Sequence, residues 1–192
     1  VRRGAWRGWL LFLNHCKNIT VQGVAFCNSP SWNLHPYFSD DLKFLDISIT
    51  APADSPNTDG FDPESCEHLL LAGAHFSLGD DCIAIKSGRD GDARAINIPS
   101  QNMIVRNCEM KNGHGGVVVG SEIGAGYKYL FVENCVMDSP ELDRAIRIKT
   151  NAEGFCRDHY KKMLGMKNRL GLALITESHL AELRKSNFSE KK

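Results

Sequence analysis

The sequence predicts an all-β fold, a parallel β-solenoid of about five coils. Five six-residue segments share one pattern: an apolar residue, any residue, then Gly, Asn or Asp, a small or apolar residue, any residue and an apolar residue. Repeats of about 20 to 50 residues built from short strands are typical of solenoids, whose coils bury an apolar interior only by stacking. The third positions of the five segments are Gly23, Asp46, Gly73, Asn107 and Asn134, at steps of 23, 27, 34 and 27 residues.

The residue type at the third position indicates a sharp bend. Gly, Asn and Asp adopt positive φ more readily than other residues, so the chain can leave one sheet there and enter the next. A β-sandwich is the alternative, because short strands with turn signals are common to both folds. The shared six-residue pattern favours the solenoid.

Two segments depart from the strand repeat. Segment 88–97 is polar and lies within the longest step, which predicts a loop protruding from one coil. Residues 155–192 carry nine Lys or Arg against four Asp or Glu, with apolar residues at helical spacing. We therefore expect a partial β-solenoid domain over residues 1–154. The basic, helical tail over residues 155–192 is expected to cap the exposed coils or to be loosely ordered, and we assign it no function.

The bulk composition argues against several classes of function. Lys and Arg together number 23, as do Asp and Glu, so no overall positive charge indicates nucleic acid binding. The apolar run 9–13 is far too short to cross a bilayer, so we expect no membrane partner. Seven cysteines without a Cys-x-x-Cys pair indicate neither a zinc site nor a dense disulfide framework. The chain begins at Val1 without a signal-peptide pattern, and we expect it to be a piece of a longer protein.

The stretch 79–88 joins two adjacent carboxylates to an alternating strand. Asp80 and Asp81 come directly before this strand, in which Ile83 and Ile85 are predicted to face the core. Lys86 then faces the opposite way, and we interpret it as solvated or lining a cleft. Two adjacent carboxylates before an apolar strand are costly unless they perform chemistry or bind a cation.

Four polar clusters lie beside strand-like runs in successive coils. They are Asn57-Thr58-Asp59-Gly60, Gly79-Asp80-Asp81, Gly113-His114-Gly115 and Arg147-Ile148-Lys149. Asp80 and His114 each lie seven residues after the third position of their repeat, and Asp59 and Arg147 each lie thirteen residues after theirs. Equal offsets indicate equal angular positions around a solenoid, whose adjacent coils are about 4.8 Å apart. The four clusters are therefore predicted to share one patch.

These clusters, in this order, closely resemble the polygalacturonases of glycoside hydrolase family 28 over residues 18–152. The resemblance includes the segments 55–60 and 79–82, and segment 29–36 resembles the bacterial, exo-acting branch. It implies a right-handed parallel β-helix and inverting hydrolysis of α-1,4-galacturonide bonds in pectin, with no metal and no cofactor. It also implies a secreted or periplasmic location and a pectic polysaccharide or oligogalacturonide as the partner.

The resemblance assigns catalytic roles residue by residue. Inverting glycosidases need a protonated carboxyl for the leaving oxygen and a carboxylate about 6.5–9.5 Å away that activates water. Asp80 corresponds to the general acid, and we expect two neighbouring anions to raise its pKa. Asp59 and Asp81 correspond to the pair that holds and activates the water. His114 corresponds to a residue that hydrogen-bonds near the acid.

The remaining assignments concern substrate binding. Arg147 and Lys149 correspond to residues that bind the galacturonate carboxylate, Arg through a bidentate fork and Lys as a point charge. Asn57 is a further predicted substrate-binding residue. These cations explain how an acidic sugar is selected over a neutral one.

Several alternatives stay open. Asp59 before Gly60 is also typical of a simple turn, and Asp80 with Asp81 could form a calcium site, as in pectate lyases of similar architecture. Within enzymes, a rhamnogalacturonan-type hydrolase is the alternative. Outside enzymes, the alternatives are an inactive carbohydrate-binding solenoid and a structural, adhesin-like solenoid, which would have no reason to gather three aspartates with two cations. The exo-acting branch and the 88–97 loop favour exo over endo action.

Overall fold

The computed structural model describes residues 7–149, which form fourteen short strands and one short helix. The strands are β1 (Leu11–Asn14), β2 (Lys17–Gln22), β3 (Ala25–Cys27), β4 (Leu34–Tyr37), β5 (Asp40–Leu45), β6 (Ser48–Thr50), β7 (Glu67–Ala72), β8 (His75–Ser77), β9 (Ile83–Ile85), β10 (Ser100–Arg106), β11 (Glu109–Asn112), β12 (Val117–Val119), β13 (Tyr127–Glu133) and β14 (Ile146–Ile148). The helix is α1 (Asp90–Ile96).

The strands stack in parallel, coil upon coil. One sheet has the order β2-β5-β7-β10-β13, which takes one strand from each of five successive coils, and a second has the order β3-β6-β8-β11. The third wall contains β1-β4 and β9-β12-β14, and single parallel bridges through Phe61 join Leu34 to Ile83 across it. The predicted parallel β-solenoid of about five coils is confirmed.

The bends between the first and second walls lie where the repeat predicts them. All five third positions have positive φ, between 51° and 68°. The first four bends each separate a strand of the first sheet from one of the second, for example at Gly73 between β7 and β8, and the bend at Asn134 leads from β13 to a single bridge between Val136 and Glu109. Residues that tolerate this backbone conformation therefore occupy the bend in every coil.

The apolar interior consists of columns that run from coil to coil. Phe44, Leu71 and Val105 lie side by side in register across β5, β7 and β10, and each is buried. The ring of Phe61 packs against that of Phe44 with their centroids 4.7 Å apart. Fully burying a side chain of this size contributes about 1.5–3 kcal/mol, so each coil is stabilised chiefly by its neighbours.

The polar segment predicted as a loop contains a helix instead. Residues Asp90–Ile96 form α1, which ends at Asn97 with a φ of 53° and an N–H that donates to the Ala93 carbonyl. The cause is local, because this segment includes two alanines and an arginine, which favour helix, and is followed by an asparagine, which accepts the left-handed conformation.

The strand β9 also differs from its prediction. Ile83 and Ile85 are buried as predicted, but so are Ala84 and Lys86. The interpretation of Lys86 as solvated is wrong, since side chains from neighbouring coils cover the outer face of this wall.

The chain divides into two compact units, Val1–Arg147 and Ile148–Lys192. The predicted boundary at residue 154 and the predicted helical tail over 155–192 lie outside the described residues. Between residues 7 and 149 there is no helix with the length and apolar character needed to cross a membrane.

Candidate active site

The three predicted catalytic aspartates come together at the start of the third wall. Asp59 and Asp81 lie on adjacent coils, where the Gly60 N–H donates to the Asp81 carbonyl at 3.0 Å. One carboxylate oxygen from each of Asp59, Asp80 and Asp81 lies within 4.8 Å of the other two. The predicted meeting of these polar motifs in one patch is therefore present for the three aspartates.

Two glycines of the motifs allow the coils to approach this closely. A Cβ on Gly60 would lie 2.6 Å from the Cys82 carbonyl oxygen. A Cβ on Gly115 would collide with the Val118 side chain and lie 3.2 Å from Oδ1 of Asp81. A larger residue at position 60 would push apart the backbones of two coils, and one at position 115 would displace side chains beside Asp81.

His114 lies against Asp80, as their shared offset of seven predicts. Its Nδ1 is 3.2 Å from Oδ1 of Asp80, and its backbone N–H donates to the Asp80 carbonyl at 3.2 Å. Oδ1 of Asp80 also accepts a hydrogen bond from the Asp81 N–H at 2.9 Å. The orientation of the Asp80 carboxyl is thus held by the chain on both sides.

Arg147 faces the carboxylates from the next coil. Its Nη1 is 3.5 Å from Oδ1 of Asp81, and its side chain is 34% exposed. The guanidinium therefore neutralises a buried carboxylate while part of it still reaches solvent. Lys149 follows β14 and belongs to the second compact unit, so its role stays a prediction.

Asn57 is exposed and bonded to a residue that the sequence did not indicate. Its Oδ1 accepts a hydrogen bond from Nη2 of Arg7 at 2.9 Å, and Nη1 of Arg7 donates to the Pro56 carbonyl at 3.1 Å. Arg7 lies outside the repeat and outside every motif, so no sequence pattern pointed to it. It adds a cation beside the segment that leads to Asp59.

The clearest electrostatic effect within the carboxylate cluster falls on Asp59. Burial raises the pKa of this 5% exposed carboxyl to about 7, Lys86 opposes the rise, and Asp80 and Asp81 add to it. The pattern of charges in the sequence indicated the neighbouring anions, but not that Asp59 is more deeply buried than Asp80, whose side chain is 17% exposed.

Sequence reasoning missed a buried charge network behind the carboxylates. The Nζ of Lys86 lies 3.3 Å from Oδ1 of Asp62, 3.0 Å from Oε2 of Glu122 and 4.3 Å from the centroid of the Trp32 ring. Burial opposes ionisation of Glu122, but Lys86 and Arg89 lower its pKa to about 2. The only sequence signal was a lysine alternating with buried isoleucines, because Glu122 is 36 residues away and belongs to no motif.

Aromatic side chains cover the neighbouring coil. Trp9 and Trp32 stack with their ring centroids 6.1 Å apart, and both contact the ring of His35. Nδ1 of His35 donates to the Asp62 carbonyl at 2.8 Å, and burial lowers the pKa of His35 to about 4. His35 is thus a neutral, packed side chain beside the network rather than an acid or base.

The carboxylate cluster is a poor fit for calcium. Calcium takes six to eight oxygen ligands at about 2.3–2.6 Å, which is more than three carboxylates supply when each binds through one oxygen. The guanidinium of Arg147 already lies beside Asp81, and the field of Lys86 acts on Asp59. This donor set favours acid–base chemistry over cation binding.

Comparison with known proteins agrees with this architecture. The sequence model of glycosyl hydrolases family 28 matches residues 7–157, and that of a family of unknown function (DUF6062) matches residues 131–192. The chain is 34% identical to a probable polygalacturonase of Vitis vinifera, over 84% of this chain and 33% of that protein. It is 30% identical to an endo-polygalacturonase of Pectobacterium carotovorum subsp. carotovorum, over 83% of this chain and 38% of that protein.

A solved structure is also similar. The crystal structure of a hyperthermoactive exopolygalacturonase from Thermotoga maritima superposes with a TM-score of 0.73 at 38% identity, covering 78% of this chain and 33% of that one. The chain thus spans about a third of the length of the relatives it matches. With its solenoid, its carboxylate cluster and a family match over residues 7–157, the chain belongs to glycosyl hydrolases family 28.

Proposed function

We propose that this chain carries the active site of a hydrolase that cleaves α-1,4-galacturonide bonds of polygalacturonate with inversion. One observation carries the site: a carboxylate oxygen from each of Asp59, Asp80 and Asp81 lies within 4.8 Å of the other two, beside an imidazole and a guanidinium. This spacing is shorter than the separation of about 6.5–9.5 Å expected from the sequence for an inverting pair, so inversion rests on the family resemblance and not on the distance between the carboxyls. Membership of the family and the names of the plant and bacterial relatives support the pectic substrate.

Asp80 is the general acid in this proposal. Its side chain is 17% exposed, whereas Asp81 is fully buried, so Asp80 is the more accessible to the oxygen of a leaving sugar. The contact with Nδ1 of His114 holds the carboxyl in place and supplies a polar group that can return the proton.

Asp59 and Asp81 hold and activate the water. Both are buried, so they are better placed to bind a small nucleophile than to contact the bulk of a sugar ring. A base must be ionised to accept a proton, and the cation Lys86 favours the ionised form of Asp59. Nη1 of Arg147 lies 3.5 Å from Oδ1 of Asp81.

Arg147, Lys149 and Asn57 form the substrate-binding set of the proposal. A guanidinium that is partly exposed beside the acid can bind the carboxylate of a galacturonate ring through two parallel hydrogen bonds. A neutral sugar offers no such partner, so this contact selects for the acidic polymer.

Exo action, with secretion or a periplasmic location, completes the proposal. The exopolygalacturonase fold neighbour supports exo action at 38% identity, and an endo-acting relative is 30% identical. In sequence, α1 directly follows the wall that carries the site, where it can limit the length of the cleft. Early release of mono- or digalacturonate is expected, and a ladder of mid-sized oligomers at early times would contradict exo action.

The substrate is tested by assaying the full 192-residue chain on three polymers. We expect reducing-sugar release from polygalacturonate, and little from fully methyl-esterified pectin, whose esters cannot pair with Arg147 as a carboxylate does. A preference for rhamnogalacturonan would replace the proposed substrate. Binding of oligogalacturonate without turnover would reduce the chain to a carbohydrate-binding solenoid.

A further inference from the structure

Lys86 is a buried lysine whose neighbours connect it to the candidate site. Only 3% of the residue is exposed, and its backbone N–H donates to the Pro63 carbonyl of the adjacent coil at 2.9 Å. Its ammonium group is flanked by Asp62 at 3.3 Å, Glu122 at 3.0 Å and the face of Trp32 at 4.3 Å. Burying an ammonium costs several kcal/mol unless carboxylates compensate for it, so this lysine holds a specific place in the wall.

The coil next to Lys86 carries Asp59. Asp59 and Asp62 lie three residues apart in one run that pairs with β9, since the Phe61 N–H donates to the Cys82 carbonyl and the Ala84 N–H donates to the Phe61 carbonyl. Lys86 therefore lies one coil away from Asp59, in the same wall.

We propose that Lys86 is a positioning residue for the hydrolysis, whose buried ammonium favours the ionised form of Asp59 that the water-activating role requires. The inference rests on the proposed function, because it presupposes that Asp59 acts as a base. It adds a residue that lies outside the four polar clusters and acts through Asp59.

Among the charged groups around Asp59, Lys86 is the cation that favours its ionised form. The charged or titratable groups that face Asp59 or Lys86 are Asp62, Glu64, Asp80, Asp81 and Glu122. Arg89 lies against Glu122, Arg147 against Asp81 and His35 against Glu64. Among the groups that act on Asp59, Asp80 and Asp81 raise its pKa and Lys86 lowers it. Even with Lys86 in place, burial raises the pKa of Asp59 to about 7.

The primary test is Lys86→Met in the full chain, with Lys17→Met as the matched control. Lys17 is exposed and pairs with Asp40 at 2.8 Å on another wall, so its loss removes a cation far from the cluster. In the pH profile of kcat/KM on polygalacturonate, the acidic limb should move up by about one pH unit in Lys86→Met and stay in place in the control. A limb that does not move in Lys86→Met overturns the proposal.

A second variant separates electrostatics from folding. Lys86→Met leaves Asp62 and Glu122 buried beside an uncharged side chain, which by itself can prevent folding. Burial and the charge of Asp59 raise the pKa of Asp62 well above its usual range, so Asn is a close mimic of its protonated form. The double variant Asp62→Asn/Lys86→Met is expected to fold and to keep the shifted limb. Recovery of the wild-type profile would mean that Lys86 serves only to neutralise Asp62.

A direct titration keeps this test independent of turnover. In chains with ¹³C-labelled aspartate carboxyls, the Asp59 signal is identified by its loss in Asp59→Asn, and its pKa is compared between wild type and the double variant. We expect a rise of about one pH unit. An unchanged Asp59 pKa overturns the role of Lys86 whether or not the chain hydrolyses polygalacturonate, whereas absent hydrolysis with a raised pKa overturns the proposed function alone.

Discussion

Asp59 shows how position in the coil, rather than residue type, sets the chemistry of a side chain. In the sequence it is an aspartate before a glycine, which is the composition of an ordinary turn. In the structure it is only 5% exposed and lies beside two further carboxylates. The positive charge of a buried lysine lowers its pKa, against the effect of burial. The sequence could indicate that Asp59 and Asp80 lie on neighbouring coils, because the motifs recur from coil to coil, but it could not indicate how deeply each carboxyl is buried.

The raised pKa of Asp59 predicts how stability depends on pH. The unfolded aspartate has an ordinary pKa near 3.8, and burial raises the folded value to about 7, so between these values the folded state binds more protons. Stability is therefore expected to fall as pH rises from about 4 to about 7, by at most about 1.4 kcal/mol per pH unit for one group. Urea unfolding of wild type and Asp59→Asn across this range measures the slope, which should be smaller in the variant.

A steeper or unchanged slope in Asp59→Asn would contradict this assignment. Asp62 leaves a residual slope of the same sign in the variant, since its pKa is raised as well. The comparison therefore concerns the difference between the two slopes and not their absolute size.

Arg147→Lys tests recognition of the acidic sugar. Lysine keeps the positive charge beside Asp81 but loses the planar fork that binds a carboxylate through two hydrogen bonds. We expect kcat/KM on polygalacturonate to fall by about 10-fold or more, chiefly through KM. The exposed Arg106→Lys on β10 is the matched control, and equal effects of the two variants would remove Arg147 from the binding set.

At the scale of elements, the stacking of coils holds the site together. The bends at the third positions were predictable because they depend on local backbone preference alone. The helix within segment 88–97 was not predictable, since the polar composition of this segment suits a loop and a short helix equally well. Lys86 was misinterpreted for a different reason: its burial depends on Trp32 and Glu122, which come from other coils.

Phe44→Ala tests the contribution of this stacking. Phe44 is fully buried in register with Leu71 and packs against the ring of Phe61. Removing the ring leaves a cavity between coils, and we expect the free energy of unfolding to fall by about 3–5 kcal/mol. The control is Phe131→Ala on β13, whose side chain is exposed and whose loss should cost about 0.5 kcal/mol or less. Similar losses in both variants would mean that the interior columns do not dominate stability.

At the scale of the whole molecule, residues from four coils make one site. Asp59, Asp80, His114 and Arg147 are separated by up to 88 positions in the sequence, yet neighbouring members lie in contact or share a cluster. The solenoid makes this possible because adjacent parallel coils are only about 4.8 Å apart. The repeat in the sequence therefore predicted that the polar motifs meet in one patch. It did not predict the buried cation Lys86, which lies outside those motifs and acts on Asp59.

The most direct test of the account is reducing-sugar release from polygalacturonate by the full chain in the presence of EDTA. We expect the wild type to remain active, because the proposed chemistry uses protein side chains and no metal, and Asp80→Asn to lose activity by about 10²–10⁴-fold. Asp138→Asn, an exposed aspartate beyond the cluster, should behave as wild type. Activity that EDTA abolishes, or that survives in Asp80→Asn, would contradict metal-free hydrolysis with Asp80 as the acid.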